Sequence, residues 1–346
     1  MSTVYLVMGG CGFVGSNVAA RLLAAGERVV LADNLSRTGS AANLAWLQSL
    51  GTIEFIHTDV RSASSVDTLV QRVRPGVVFH LAGQVAMTTS VENPRLDFET
   101  NAFGSFNLLE AVRRFAPDAT VVYASSNKSY GDLSFVRLVE ERTRYAAPDH
   151  PDGIDETAPV DLQTPYGCSK GVADQYMLDY ARVYGLNTVV FRHSTMYGGR
   201  QFATFDQGWI GWFCQQAAAV KRDPGRAPFT ISGDGKQVRD LLYVDDAVDA
   251  YLAAATHIQT ARGQVFNVGG GMANSCSLLE LFTMLEDAFG VTLAYERLPW
   301  RLSDQRYFVA DNRKATAALG WAPRVSKREG VDRMIAWTEA LGVSFR

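Results

Sequence analysis

The sequence predicts an α/β fold, a doubly wound parallel sheet followed by a smaller C-terminal lobe. Six short, β-branched apolar runs fall within the first 192 residues. They are apolar on both alternating sets of positions, which is typical of central strands covered on both faces. Helical stretches separate the runs, and an alternation of strand and helix favours a parallel sheet.

The elements follow from these patterns in chain order. The predicted strands are 3–8, 28–33, 53–57, 76–81, 119–124 and 187–192, and the clearest helices are 13–25, 97–115 and 165–184. Beyond residue 192 the pattern is irregular, with a helix-like run at 245–256 and a strand at 264–268. Helix starts at 277–280 and 326–329 place Ser three residues before Glu, the spacing of a capping box. A polar excursion, 132–163, precedes the helix 165–184.

Composition excludes several classes of protein. The chain has 346 residues, a net charge of -3 and 20% charged residues, so no global basic field points to nucleic acid. The four cysteines are far apart and show no ligand spacing, so no metal site is predicted. We find no secretory leader and no apolar run of the ~20 residues that cross a bilayer. These absences predict a cytoplasmic protein that does not insert into membranes.

A glycine-rich turn follows the first predicted strand and opens a helix. Gly9, Gly12 and Gly15 are spaced G-x-x-G-x-x-G. Glycines allow the backbone to approach a pyrophosphate, and the helix N-terminus supplies free amides. Asp33 ends the second strand, where a carboxylate binds ribose hydroxyls and repels a 2′-phosphate. The pattern predicts a Rossmann domain that binds NAD rather than NADP, although Arg37 could soften this exclusion.

Tyr166 and Lys170 lie four residues apart in "TPYGCSKG". In a helix this spacing places both side chains on one face. A nearby ammonium favours the phenolate, so the pair is a plausible general base. A helical salt bridge from Lys170 to Asp174 is the competing structural interpretation.

Motifs along nearly the whole chain carry a family resemblance. They are "GGCGFVGSN", "DNLSR", "HLAGQVAMTTSVENP", "SSNKSYGD", "PYGCSKG", "FRHSTMYGGRQF", "DQGWIGWF", "ISGDGKQVRD" and "SDQRYFVAD". With them the chain resembles the extended short-chain dehydrogenase/reductases, more narrowly the nucleotide-sugar epimerases, and among these the CDP-paratose 2-epimerases.

The resemblance implies a catalytic trio of Ser126, Tyr166 and Lys170, in which Tyr166 is the acid/base and Lys170 also holds the nicotinamide ribose. Ser125 is the alternative to Ser126. Asn127 and Lys128 stand where dehydratases of the family carry an Asp-Glu pair, which disfavours a 4,6-dehydratase.

The resemblance, together with the strand ends, predicts two sets of binding residues. The NAD-binding residues are Gly9, Gly12, Phe13, Val14, Gly15, Asp33, Asn34, Ser36, Arg37, Asp59, Val60, Leu81, Ala82, Gly83, Gln84, Asn101, Tyr166, Lys170 and His193. The substrate-binding residues are Thr88, Thr89, Ser126, Asn127, Lys128, Thr195, Gln201, Gln207, Trp209, Arg239, Arg301 and Asp304. Arg239 and Arg301 would bind the diphosphate, since a guanidinium can hold phosphate oxygens bidentately. Trp209 and Trp212 could equally belong to the core.

Two domains are predicted from these assignments. The NAD-binding domain covers 1–192, with segments near 239–270 and 304–312 returning to it. The substrate-binding lobe comprises 193–238, 271–303 and 313–346.

The predicted function is an NAD-dependent epimerase that inverts C2 of a nucleotide-diphosphate sugar, with a CDP-sugar favoured. The alternatives are a UDP-hexose 4-epimerase, a net dehydrogenase that releases NADH, and a non-catalytic NAD-sensing module, which would typically have lost Tyr166 or Lys170. The resemblance also implies a homodimer through helices 97–115 and 165–184, or a homotetramer.

Overall fold

The computed structural model describes residues 3–301 and 303–342. The strands are β1 (Val4–Met8), β2 (Arg28–Asp33), β3 (Glu54–His57), β4 (Val77–His80), β5 (Thr120–Ser126), β6 (Val139–Glu140), β7 (Tyr145–Ala146), β8 (Asn187–His193), β9 (Thr195–Tyr197), β10 (Phe229–Ser232), β11 (Val238–Tyr243), β12 (Gln264–Val268), β13 (Ser275–Ser277), β14 (Tyr295–Leu298) and β15 (Tyr307–Phe308). The predicted domain ranges also include residues 1–2, 302 and 343–346, which lie outside the described residues.

The helices alternate with the strands in the first half and dominate the last third. They are α1 (Phe13–Ala24), α2 (Ser40–Leu50), α3 (Ala63–Val73), α4 (Met87–Glu92), α5 (Pro94–Phe98), α6 (Gly104–Phe115), α7 (Thr164–Tyr184), α8 (Trp209–Arg222), α9 (Val244–Thr256), α10 (Ile258–Ala261), α11 (Leu278–Phe289), α12 (Arg313–Leu319) and α13 (Lys327–Ala340). A π-helical turn, Glu99–Phe103, joins α5 to α6, and 3₁₀ turns lie at Asn127–Tyr130 and Met272–Asn274.

The large sheet has seven parallel strands in the order β12-β8-β5-β4-β1-β2-β3. Alternate residues of each strand face opposite layers. Val7 and Val122 pack in one hydrophobic cluster with α1, α2 and α9, whereas Leu6 and Val121 pack in another with α3, α6 and α7. This confirms the predicted doubly wound sheet, and it gathers the carboxyl ends of the strands at one edge.

The second half of the chain partly joins the large sheet. Strand β12 forms its edge, and α9 packs against α1. Strands β11 and β15 pair with each other in a separate small sheet with β13, and β9 pairs with β11. Of the segments predicted to return to the NAD-binding domain, 239–270 does so through β12 and α9, whereas its strand β11, like β15 in 304–312, pairs outside the large sheet. One hydrophobic cluster runs from the α1 layer into α8 and α11, so the two predicted lobes share a core.

Two local features differ from the expected elements. The predicted helix 97–115 is interrupted by the π turn, which contains Asn101. Both hydrogen bonds of the predicted Ser277–Glu280 capping box are present, each side chain accepting from the backbone amide of the other residue. Ser326 also caps its helix, but the carboxylate of Glu329 bonds to Arg333. Arg333 lies one turn further along the helix, so its guanidinium competes with the Ser326 backbone amide for the Glu329 carboxylate.

Candidate active site

The glycine turn is held tightly between β1, β2 and the loop after β4. Gly9 has φ +74° and donates its amide to Ala32 O at 2.7 Å. A Cβ at Gly9 would lie 2.6 Å from Ala82 N, and one at Gly15 would lie 2.2 Å from Gly9 O. Only glycine tolerates this approach. Gly12 caps α1 without a side-chain bond, so the first-turn amides, where Phe13 and Val14 lie, can face an anion.

Asp33 joins the glycine turn to the loop after β2. Its Oδ2 accepts from Cys11 N at 3.0 Å, and its Oδ1 accepts from Leu35 N at 2.7 Å. Burial raises the pKa of its carboxyl, and these bonds oppose the shift. Each carboxylate oxygen has a further lone pair, which a ribose hydroxyl can use. The site therefore suits NAD at its adenosine end.

The other residues predicted to contact the adenosine lie in the segments that follow β2 and β3. Asn34 donates from Nδ2 to Asp59 at 3.3 Å and accepts from Ser36 N at 3.1 Å. Arg61 binds Asp59 at 2.7 Å and lowers the pKa of its carboxyl to about 2. Val60, which follows Asp59, accepts the amide of Asn107 through its carbonyl at 2.9 Å. Burial lowers the pKa of Arg37, partly opposed by the Asp206 carboxylate.

The π turn positions the loop after β4. Asn101 accepts from Gln84 N at 2.9 Å and donates to Gln84 O at 3.0 Å. Its amide also donates to Asp97 and Ser169, and the residue is 1% exposed. In this structure Asn101 supports the loop 81–84 rather than facing the cleft. A Cβ at Gly83 would lie 3.5 Å from Lys170 Nζ, so the ammonium lies beside this loop.

Tyr166 and Ser126 meet at the carboxyl edge of the sheet. Ser126 ends β5, and Tyr166 lies in the first turn of α7. Burial raises the pKa of Tyr166 to about 12, the Ser126 hydroxyl lowers it, and Asp97 raises it. The phenol is therefore protonated near neutral pH. Lys170, which the sequence predicts to lower this pKa, is not among the causes of the shift.

Lys170 is buried one helical turn from Tyr166. Burial lowers its pKa to about 8, and Asp97 and Asp174 oppose that shift. Its ammonium lies 4.7 Å from the ring centroid of Tyr123. The carboxylate of Asp174 binds Arg192 at 2.8 and 3.0 Å instead. Asp174 therefore pairs with Arg192 rather than with Lys170, the partner considered from the sequence.

Ser125 and His193 form hydrogen bonds with residues other than Ser126, Tyr166 and Lys170. Ser125 donates to Asp174 at 2.9 Å on the side of Arg192. His193 bonds to Tyr251 Oη through Nε2 at 2.6 Å, and burial lowers its pKa to about 3, with Lys170 adding to the shift. A neutral, buried His193 does not exchange protons near neutral pH.

A cluster of cations surrounds the carboxylate of Asp304, which approaches the turn after β5. Asp304 Oδ1 lies 3.1 Å from Arg239 Nη2 and 3.6 Å from Lys128 Nζ. Arg301 donates to Ser232 Oγ at 3.2 Å. Arg301 and Arg239 both line a cavity next to this cluster. Burial lowers the pKa of Lys128 to about 8, and Arg239 adds to the shift. Three cations exceed the two carboxylates at the cavity, Asp304 and Asp206, so an excess of positive charge remains, which suits a diphosphate.

The cavity beside this cluster has a volume of about 200 Å³. Aromatic and amide side chains line it, among them Phe205, Gln207, Trp209 and Trp212. Trp209 donates to Thr195 Oγ1 at 3.4 Å. Both tryptophans also pack against the main hydrophobic cluster, so each one contributes to the core as well as to the cavity wall. Gln201 lies outside this lining, where its Nε2 donates to Met196 O.

Two residues of the site were not predicted. Asp206 accepts from Thr88 and Thr89 at 3.4 Å each, which joins α4 to the cavity wall. Gln305, fully buried, bonds to the amide of Asn127. Both lie inside motifs already used for the resemblance, but their contacts span more than 100 residues of sequence. Among the described residues, no cluster of three or more His, Cys, Asp or Glu could hold a metal ion.

Comparisons with known proteins agree with this geometry. The model of the NAD dependent epimerase/dehydratase family matches residues 5–269. The chain is 54% identical over 336 residues to a CDP-paratose 2-epimerase of Salmonella typhi, covering 97% of this chain and 99% of that protein. No helix within the described residues is long and apolar enough to span a membrane.

Solved structures of the family superpose over nearly the full length. A UDP-glucose 4-epimerase with UDP-glucose from Thermotoga maritima gives a TM-score of 0.84 at 29% identity, covering 99% of this chain and 100% of that one. A UDP-glucuronic acid 4-epimerase from Bacillus cereus, in complex with UDP-glucuronic acid and NAD, gives 0.83 at 25% identity, covering 98% and 100%. The chain therefore belongs to the NAD dependent epimerase/dehydratase family.

Proposed function

We propose that this protein is an NAD-dependent 2-epimerase that interconverts CDP-paratose and CDP-tyvelose, or acts on a close CDP-sugar. The observation that carries the proposal is 54% identity to a CDP-paratose 2-epimerase over 97% of the chain. The site supports it with a buried Ser126–Tyr166–Lys170 group beside a cationic cavity.

Tyr166 is the acid/base of the proposed reaction. It takes the proton of the C2 hydroxyl when that carbon is oxidised and returns a proton when the carbon is reduced. Burial favours its protonated form, which is the form that returns the proton. Positive charge favours the phenolate, and Lys170 brings such a charge within one helical turn. Ser126 holds the reacting oxygen next to the phenol.

The described residues fit NAD from one end to the other. Gly9 and Gly15 leave room for a pyrophosphate at the start of α1, and Asp33 offers carboxylate oxygens to the adenosine ribose. Lys170, beside Gly83, would hold the nicotinamide ribose. When bound, NAD would supply the hydride acceptor for oxidation at C2 and, once reduced, the hydride donor for the reduction that follows.

The groups after Ser126 oppose a dehydratase. Asn127 and Lys128 carry no carboxylate, so the Asp-Glu pair with which the family's dehydratases eliminate water is missing from this position. The amide of Asn127 is bonded to Gln305 and Ser126. We assign the Lys128 ammonium, with Arg239 and Arg301, to the sugar diphosphate, because charge-assisted bonds to phosphate are strong.

We also propose that two copies of the chain pair through α6 and α7. Several of the exposed large hydrophobic residues lie in or next to these helices, including Phe103, Tyr176, Val183 and Tyr184. Aromatic contacts connect Phe103 to Tyr184 along this face. Exposed apolar patches of this kind mark protein interfaces. Sedimentation equilibrium tests the pairing, and a monomer at micromolar concentration would contradict it.

Proton NMR of the sugar tests the proposed reaction. Purified protein is incubated with CDP-paratose, first without added cofactor and then with NAD. A new anomeric signal with manno-type coupling is the expected product. Galacto-type signals from UDP-glucose, with CDP-paratose unchanged, would instead make the protein a 4-epimerase. If neither sugar changes in the presence of NAD, the substrate assignment is wrong.

A further inference from the structure

Gln305 comes from the C-terminal half of the chain and reaches the catalytic edge of the large sheet. The residue is fully buried. Its Nε2 donates to Asn127 O at 3.1 Å and to Gly131 O at 2.7 Å. Its Oε1 accepts from Asn127 Nδ2 at 3.0 Å. All three bonds reach the turn that follows Ser126.

The orientation of both amides follows from two backbone carbonyls. A carbonyl oxygen only accepts hydrogen bonds, so the NH₂ group of Gln305 must face Asn127 O and Gly131 O. Gln305 Oε1 then faces the Asn127 side chain and can only accept, so Asn127 must present Nδ2 to it. This leaves Asn127 Oδ1 on the opposite side, 3.3 Å from Ser126 Oγ.

The direction of these hydrogen bonds determines which group accepts the hydroxyl proton of Ser126. Ser126 donates that proton to Asn127 Oδ1. Its oxygen accepts from Lys128 N at 3.2 Å, which leaves one lone pair available. Toward the phenol of Tyr166, whose pKa it lowers, Ser126 can therefore only accept a hydrogen bond while the phenol keeps its proton.

We propose that Gln305 is a positioning residue for the proton-transfer step, since it fixes Asn127 so that the Ser126 proton is held away from the phenol oxygen. When Tyr166 loses its proton, Ser126 must turn its own proton to the phenolate and give up the bond to Asn127. Asn127 Oδ1 thus competes with the phenolate and favours the protonated phenol. This inference rests on the proposed function only in making Tyr166 the acid/base.

Other groups also face Tyr166 and must stay constant in the test. Asp97, from α5, acts on its pKa, and Tyr123, from β5, feels the charge of the phenolate. Lys170 lies one turn along α7. Substitutions at positions 127 and 305 alter none of these groups, so a change in the Tyr166 titration can be assigned to the hydrogen-bond chain.

The test compares Gln305→Leu with Gln305→Glu. Leucine has roughly the volume of glutamine but cannot form the hydrogen bonds that orient the Asn127 amide. A glutamic acid buried between two carbonyls is protonated, so it keeps the acceptor that faces Asn127 and one donor. The readout is the ¹³Cζ chemical shift of Tyr166 against pH in the NAD-bound protein, with Tyr166→Phe for assignment.

We expect Gln305→Leu to raise the ionisation constant of Tyr166 about threefold to tenfold, the worth of one neutral hydrogen bond. Gln305→Glu should not raise it. Asn127→Leu removes the same acceptor without touching position 305 and should give the same rise. The double variant should give no further rise, because the two residues act as one chain.

Several results would overturn the inference. They are an unchanged Tyr166 titration in a folded Gln305→Leu or Asn127→Leu protein, equal shifts for Leu and Glu at 305, or additive shifts in the double variant. Thermal unfolding and bound NAD verify that each variant is folded. The titration uses no sugar, so a wrong substrate leaves it unaffected, whereas failure to turn over CDP-paratose would overturn only the proposed function.

Discussion

Asp174 and Arg192 form a bidentate ion pair beneath the catalytic helix, at 2.8 and 3.0 Å, with side chains 0% and 3% exposed. Ser125 donates to the same carboxylate. Asp174 lies one helical turn after Lys170, a spacing at which the two side chains could form a salt bridge. Because Arg192 holds it, the Lys170 ammonium remains beside the loop that contains Gly83.

Arg192→Leu should destabilise the protein by about 3–5 kcal/mol, because it leaves the Asp174 carboxylate buried without its cation. Urea unfolding at pH 7 measures the loss. The control is Arg328→Leu, which breaks an exposed pair with Asp332 and should cost about 1 kcal/mol or less. Equal losses in the two variants would contradict the role of the buried pair.

Tyr166→Phe should lower kcat about 10²- to 10⁴-fold, since it removes the proton that the phenol transfers. The content of bound NAD and the thermal midpoint should stay close to those of the unmodified protein. Tyr176→Phe, an exposed position on the same helix, is the control and should retain activity. Turnover by Tyr166→Phe at the unmodified rate would remove Tyr166 from the mechanism.

Lys128→Met should weaken the binding of CDP about 10- to 100-fold, the loss of one hydrogen bond between charged groups. Titration calorimetry measures the affinity directly. Lys221→Met, which removes a charge outside the diphosphate cluster, should leave the affinity unchanged. If both variants bind CDP as the unmodified protein does, the diphosphate lies elsewhere.

Stability should rise with pH above neutrality in the cofactor-free protein. Burial lowers the pKa of Lys128 and of Lys170 to about 8, whereas an unfolded lysine titrates near ~10.4. Between these values the unfolded chain binds more protons, so the free energy of unfolding increases with pH. Below pH 8 both lysines are charged in both states, and the destabilisation is fully present.

Urea unfolding from pH 7 to 10 measures this dependence. Lys170→Met should be more stable than the unmodified protein at pH 7 and should show a shallower rise. A Lys170→Met profile with an unchanged slope would show that the lysine titrates alike in both states.

Asp33→Asn should weaken NAD binding about 10- to 100-fold and reduce discrimination against NADP, because it removes the carboxylate that we propose to bind the ribose hydroxyls. Bound dinucleotide in the purified protein and a fluorescence titration measure both effects. Asp249→Asn makes the same charge change on α9, where Asp249 pairs with Arg21, and should have no effect. Unaltered NAD affinity in Asp33→Asn would contradict the assignment.

The features that sequence predicts well are those with short spacing. Gly9, Gly12 and Gly15 act within one turn, and Tyr166 and Lys170 within one helical turn, so local geometry determines their arrangement. Strand 119–124 is predicted two residues short, because Ser125 and Ser126 are polar although β5 includes both. Their polarity marks the point where the strand reaches the site.

The features that sequence misses depend on the approach of distant segments. Gln305 lies 178 residues from Asn127, and nothing in the local pattern of "SDQRYF" indicates its partner. Asp206 meets Thr88 and Thr89 across 118 and 117 residues. The protonated state of Tyr166 is missed for a similar reason, because burial by the whole fold raises the pKa of its phenol.

Transfer of a labelled hydrogen tests the central claim most directly. CDP-paratose carrying deuterium at C2 is converted in ordinary water and the product is examined by NMR and mass spectrometry. Oxidation and reduction at C2 through bound NAD predict that the CDP-tyvelose formed retains the deuterium at C2. Replacement of that deuterium by solvent hydrogen would mean that C2 loses a proton rather than a hydride, and would contradict the mechanism.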